Sequence, residues 1–212
     1  MFKTPVRKVV KKGKGSRRGC MPMSLKIKRG LEVESMNEFD FSMILEVDPD
    51  VEFYCEQPHT FTYKRDGKDH TYTPDFWVRL RNSATELMIE VKPWEKANSE
   101  KWQDFFSYVR PVIEGDGYKY VILTDRDIRR MPRLQNVRDI FYGSQVLAND
   151  GHLIRLMEII NGKQEMTFSE LSKITAANDN LPNAYSFIRS GLARIDMSKP
   201  LNDNAVLSFQ EP

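Results

Sequence analysis

Two short runs carry residue types that could do chemistry together: Pro74-Asp75 and, after a gap of fourteen residues, Glu90-Val91-Lys92. They offer two carboxylates and an ammonium. Hard divalent cations prefer carboxylate oxygens, and Mg²⁺ keeps several waters in its shell. A cation held there would polarise a phosphodiester, lower the pKa of a bound water and stabilise the leaving oxygen. A lysine beside it would orient that water or neutralise charge building on phosphorus. The Val91 carbonyl lies between the two side chains and offers a further oxygen. Mg²⁺ is the expected cofactor, with Mn²⁺ tolerated. Taken alone, Glu-x-Lys also suits an exposed strand face, so the positioning elements decide.

The hydrophobic pattern brings these groups together without any motif. On the first strand Phe76, Val78 and Leu80 alternate with Asp75, Trp77 and Arg79; on the second Leu87, Ile89 and Val91 alternate with Met88, Glu90 and Lys92. If the two strands pair as a hairpin, their apolar sets share a face. Opposed residue numbers must then sum to an odd value such as 165 or 167, which sets Asp75 opposite Glu90 or Lys92. A helix over 35–47 precedes them, opened by Ser35-Met36-Asn37-Glu38 as a capping box and closed by Asp48-Pro49-Asp50. Glu38 on this helix is the chosen third carboxylate; Glu34, one turn earlier, is the alternative on the same face.

Around this core the reading is α/β. Val51–Phe53 and Thr60–Tyr63 are candidate strands, Asp66-Gly67 is a hairpin turn, and strands cover 70–80 and 86–92. A helix at about 95–110 places Trp102, Phe105, Phe106 and Val109 on one stripe. Tyr120–Thr124 reads as a strand covered on both faces. From about 147 three helices, the second opened by Thr167–Glu170 as another capping box, precede two short strands at 193–195 and 206–209. That order predicts a small C-terminal winged-helix domain. Such units bind DNA about as readily as protein, so the fold alone does not choose.

Charge is segregated. Residues 1–30 hold eleven Lys or Arg and no acid, leaving 21 basic and 30 acidic residues, a net of −9, in the remainder. A basic run of this kind tends to stay unfolded until it meets a polyanion. Lys8, Lys11, Lys12, Lys14, Arg17 and Arg18 are the expected contacts to DNA phosphates, in salt-sensitive binding. The expected organisation is a basic, flexible arm at 1–31, a nuclease domain at 32–146 and the winged helix at 147–212. No apolar run approaches the roughly 18 residues needed to span a bilayer. The two cysteines, Cys20 and Cys55, lack metal-ligand spacing and suit a reducing cytosol.

The longer pattern is more specific. Pro74-Asp75 with Glu90-Val91-Lys92 resembles the PD-(D/E)xK signature of restriction-endonuclease-like folds. Joined to Ser35-x-x-Glu38, Val51, Glu56-Gln57-Pro58 and Tyr72-Thr73-Pro74-Asp75-Phe76, it resembles the TnsA family across about 35–93. The resemblance implies a mixed β-sheet core flanked by helices, and the endonuclease subunit of a heteromeric bacterial transposase. In that family the subunit cleaves the 5′ strands at the ends of the element. A DDE-type partner transposase cuts and joins the 3′ ends, under an AAA+ ATPase regulator. Carried over, Glu38 and Asp75 are metal-binding carboxylates and Lys92 the catalytic lysine; Glu90 stands where members can carry Gln. The expected catalytic set is therefore Glu38, Asp75, Glu90 and Lys92, and the expected metal set Glu38, Asp75, Glu90 and Val91. The expected location is the bacterial cytoplasm. Two other readings have distinct signatures. A stand-alone restriction or repair nuclease would cut DNA without partners, and a non-catalytic winged-helix DNA-binding adaptor would not need three charges converging on one face.

Overall fold

The computed structural model describes residues 4–6, 19–21, 23–144 and 146–209. By contacts it divides into two units: Met1–Ser42 with Asp50–Arg129, and Met43–Pro49 with Arg130–Pro212.

The first unit is built on a mixed four-stranded sheet. Its strands, in spatial order, are β3 (Val51–Glu56), β6 (Phe76–Leu80), β7 (Leu87–Lys92) and β8 (Lys119–Thr124). The first three neighbours run antiparallel, and β8 lies parallel to β7. The β6–β7 register pairs Phe76 with Ile89, Trp77 with Met88 and Val78 with Leu87, a constant sum of 165. Of the two registers the parity allowed, this one extrapolates to Asp75 opposite Glu90. The parallel β7–β8 pair needs a crossover, supplied by helices α2 (Trp94–Ala97) and α3 (Glu100–Gly115).

Both faces of the centre of the sheet are covered, as Phe76, Trp77, Met88 and Ile89 are all buried. The face bearing Trp77 and Met88 receives Phe106, Val109 and Ile113 of α3, together with Tyr120. Phe61 and Tyr63 from the hairpin of β4 (Phe61–Arg65) and β5 (Lys68–Tyr72) complete this cluster. Asp66 and Gly67 join the two strands with φ of 52° and 74°, the left-handed pair that favours Asp-Gly in a two-residue turn.

Four details depart from the sequence reading. The strand expected at 70–80 is broken, because β5 ends at Tyr72 on β4 and β6 begins at Phe76 on β3; Pro74 between them has no N–H to give a ladder. The helix expected at 95–110 is two helices, and the longer one runs on through Pro111 to Gly115. β8 is an edge strand on which only Tyr120 and Thr124 are buried. Finally, the arm expected to reach residue 31 is folded in its last part. Strand β1 (Gly19–Met21) pairs antiparallel with β2 (Leu31–Val33), and Met21, Ser24, Ile27 and Leu31 are buried. Arg29 forms a two-pronged pair with Glu56, at 2.6 and 2.5 Å. The apolar residues here are too widely spaced to show a period, so the basic residues between them dominated the reading. The six expected DNA contacts, Lys8, Lys11, Lys12, Lys14, Arg17 and Arg18, lie outside the described residues.

In the second unit, helices α5 (Arg133–Gly143), α6 (Asp150–Ile159), α7 (Phe168–Ala176) and α8 (Ala184–Arg189) accompany a three-stranded antiparallel sheet. Its order is β10 (Ala193–Ile195), β11 (Val206–Phe209), β9 (Glu165–Thr167). The Thr167–Glu170 capping box forms as expected. Strand β9 was not expected; with three residues it is too short to show alternation. The contact boundary lies at 129/130, earlier than the 147 read from the sequence. Helix α5 packs on α8, burying Leu134, Val137 and Ile140, an attachment that sequence spacing does not reveal.

Candidate active site

The centre forms where β6 and β7 part. Phe76 and Ile89 are the last pair of the ladder, so beyond them β7 has free backbone positions facing Asp75. The Val91 N–H donates to Asp75 Oδ2 at 2.8 Å. In a strand the N–H and C=O of one residue point the same way, so the Val91 carbonyl also points toward Asp75. Glu90 and Lys92, one residue to either side, project to the opposite pleat.

The ammonium of Lys92 joins the two acids. Its Nζ lies 3.8 Å from Asp75 Oδ2 and in direct contact with Glu90 Oε1. The Trp102 ring lies 5.0 Å from the same nitrogen, a cation–π contact. Asp75 and Glu90 are both buried. Burial works against a charged Lys92, but Asp75, Glu90 and Glu38 together hold its pKa above the ordinary lysine value. Asp75 goes the other way. Burial first, then the charge of Glu90, raise its carboxyl well above the usual range, against Lys92 and the Val91 N–H.

Glu38 stands beside this group rather than within it. On helix α1 (Met36–Val47) its Oε1 accepts from the Ser35 hydroxyl at 2.7 Å and its Oε2 from the Glu34 N–H at 2.9 Å. The Ser35 hydroxyl oxygen accepts in turn from the Glu38 N–H at 3.2 Å. The expected capping box is present in function, with the Glu34 N–H in place of that of Ser35. Glu38 is buried and Glu34 exposed. Burial, then the charge of Asp75, push the Glu38 carboxyl up to about 7 from 4.5.

That shift has a testable sign. An acid whose folded pKa is raised gives its stabilisation in full below about 4.5 and loses it as pH climbs through about 7. In EDTA, wild type is expected to lose roughly 3 kcal/mol between pH 4.5 and 8 through this group. Glu38→Gln keeps one of the two capping acceptors, cannot ionise and should remove that part of the slope. Urea unfolding at the two pH values checks it; an unchanged slope would contradict the assignment.

The donor set fits a hard divalent ion. Two carboxylates and one carbonyl offer oxygen alone, as Mg²⁺ demands, with water and substrate left to fill the shell. Among the described residues no three His, Cys, Asp or Glu side chains group as an ion-holding cluster, consistent with Glu38 being engaged in its cap. Sequence reasoning missed three participants. Tyr72 reaches Glu90 Oε2 at 2.5 Å and meets the Tyr120 hydroxyl at 2.7 Å, and Trp102 covers Lys92. A signal existed for Tyr120, whose polar tip stands beside the apolar run Val121–Leu123 and on the same side of the sheet as Glu90. Gln57 touches the centre through its backbone, its N–H donating to the Asp75 carbonyl at 2.9 Å, while its side-chain Oε1 is buried without a hydrogen-bond partner.

This α/β unit is also recognisable by comparison. Residues 48–125 match the family model described as TnsA-like endonuclease N terminal. The match includes Asp75, Glu90 and Lys92, stops short of Glu38, and supports nuclease activity for this one domain. The chain is also 25% identical over 144 residues to "Ribosome assembly factor mrt4" of Candida glabrata, across 63% of this chain and 58% of that one. The chain thus spans under two thirds of that relative, whose name points to a different role. No helix among the described residues is long and apolar enough to cross a membrane.

Proposed function

We propose that this chain is a Mg²⁺-dependent DNA endonuclease, the subunit of a cut-and-paste transposase that cleaves the 5′ strands at the ends of a mobile element. One observation carries the reading: Lys92 Nζ sits between Asp75 Oδ2 and Glu90 Oε1 at the open end of the β6–β7 ladder. Three charges drawn into a buried site lose solvation, and the core packing alone does not require them.

In this reading Asp75, Glu90 and the Val91 carbonyl hold the ion, with Glu38 close by. Bound Mg²⁺ supplies polarisation of the phosphodiester and an acidified water. The protein does the rest. The Val91 N–H fixes the Asp75 carboxylate, and Lys92 keeps a positive charge where negative charge grows on the phosphoryl oxygens. Mn²⁺ would serve in place of Mg²⁺, since it also accepts oxygen ligands. The order of elements in the second unit, with α6, β9, α7, α8, β10 and β11 in sequence, supports a winged helix there. We assign it contacts with DNA or with an AAA+ ATPase regulator, and the basic residues between 8 and 18 contacts with DNA. The partner at the 3′ strand is a DDE-type transposase, and the reaction belongs to the bacterial cytoplasm.

Partner dependence is the test. On a supercoiled element-end plasmid with Mg²⁺, the chain is expected to be nearly silent alone and to cut 5′ strands once the DDE-type partner is present. Vigorous cutting without the partner would replace this reading with that of a stand-alone nuclease.

A further inference from the structure

We infer that Tyr72, backed by Tyr120, is a positioning residue that locks the Glu90 carboxylate into the active centre; the inference rests on the nuclease reading above. A glutamate has three rotatable side-chain bonds, and the backbone of β7 does not fix where its two oxygens point. Two donors do, one at the end of the same strand and one from β5. Lys92 takes Oε1, and the Tyr72 hydroxyl donates to Oε2 at 2.5 Å. A carboxylate only accepts, so the single phenolic proton of Tyr72 is committed to Glu90. The 2.7 Å contact between the two phenols then has one polarity, with Tyr120 donating and Tyr72 accepting. The result is a directed chain from Tyr120 through Tyr72 to Glu90.

Each ring in the chain is held by packing. Phe105 meets Tyr72 edge-on with centroids 5.2 Å apart, and Tyr120 does so at 6.2 Å. The Arg110 guanidinium lies 5.3 Å from the Tyr120 ring centre and donates to the Tyr120 carbonyl at 2.9 Å. Tyr72 is also the last residue of β5, three residues before Asp75. One short segment therefore supplies both a carboxylate of the centre and the group that aims the other. Partners of this kind, behind a metal-binding carboxylate, are worth roughly 10–100-fold in metal affinity or activity.

The test is a double-mutant cycle on Mn²⁺ binding, read from the electron paramagnetic resonance of free Mn²⁺ without DNA, alongside cutting of the element-end plasmid. Tyr72→Phe is expected to weaken Mn²⁺ binding about 10–100-fold and to raise the Mg²⁺ needed for half-maximal cutting by a similar factor. Tyr120→Phe should give a smaller loss of the same kind, and serves if Tyr72→Phe fails to fold by circular dichroism. In a Glu90→Ala background, Tyr72→Phe should cost nothing further, because the group it aims is gone. Binding by Tyr72→Phe within twofold of wild type overturns the inference, as does an equal loss in both backgrounds, the mark of a merely structural role. A wild type that binds Mn²⁺ but cuts no DNA with its partner overturns the nuclease reading instead and leaves the cycle readable. A wild type that binds no Mn²⁺ overturns both.

Discussion

Lys92→Met is expected to slow 5′-strand cutting by roughly a thousandfold, the scale for removing a group aimed at developing charge. The surroundings of the ammonium set the size of this effect. Burial alone would favour a neutral amine, yet Asp75, Glu90 and Glu38 outweigh it and raise the Lys92 pKa above its ordinary value. This direction assigns the residue the role of a cation rather than of a base. Two consequences separate this role from proton transfer. The loss in Lys92→Met should persist from pH 6.5 to 9.5, and wild-type activity should show no rise attributable to deprotonation of Lys92 across that range. Methionine keeps the length of the stem against Trp102, so packing is largely retained. Single-turnover rates across this pH range decide the point; a variant cutting within threefold of wild type would remove Lys92 from the chemistry.

The second large effect is on stability, in the other unit. Glu46 and Arg189 form a buried ion pair at 2.8 Å, with side chains 0% and 4% exposed. The guanidinium also donates to the Ser144 carbonyl at 2.9 Å, and lies 4.9 Å from the Phe141 ring centre. Its Nε is buried without a hydrogen-bond partner, so this arginine already carries some desolvation cost. Glu46→Ala leaves it without its counter-charge, and should cost about 3–5 kcal/mol. The double variant Glu46→Leu with Arg189→Met should recover much of that loss, because two apolar residues leave no charge stranded. Urea denaturation of the three proteins checks both statements. A Glu46→Ala protein within 1 kcal/mol of wild type would contradict them.

These two sites differ in how far the sequence announces them. Alternation on the strands around Asp75 and Glu90 is enough to fix parity, and the observed sum of 165 falls within it. Asp66-Gly67 likewise declares its turn, and both serine or threonine capping boxes declare their helix starts, since local hydrogen bonding leaves few ways to use those residues. Glu46 and Arg189 stand 143 positions apart, and nothing local marks either as buried. Tyr72 is a similar case. Its strand pairing is local, but its hydroxyl meets Glu90 only after β5 and β7 are brought together by the core around Trp77. The folded residues 19–21 and 23–31 were hidden for a different reason. Their few apolar residues are diluted by Lys26, Lys28 and Arg29, and the last of these is held by Glu56, not by solvent.

Asp75, Glu90 and Lys92 are proposed as one cutting centre for one strand. This proposal is tested most directly by mapping both strands of a supercoiled element-end plasmid after reaction with Mg²⁺ and the partner transposase, comparing wild type with Asp75→Ala. The expected result is that 5′-strand cuts vanish in the variant while 3′-strand cuts persist. Equal 5′ cutting by the two proteins would contradict it.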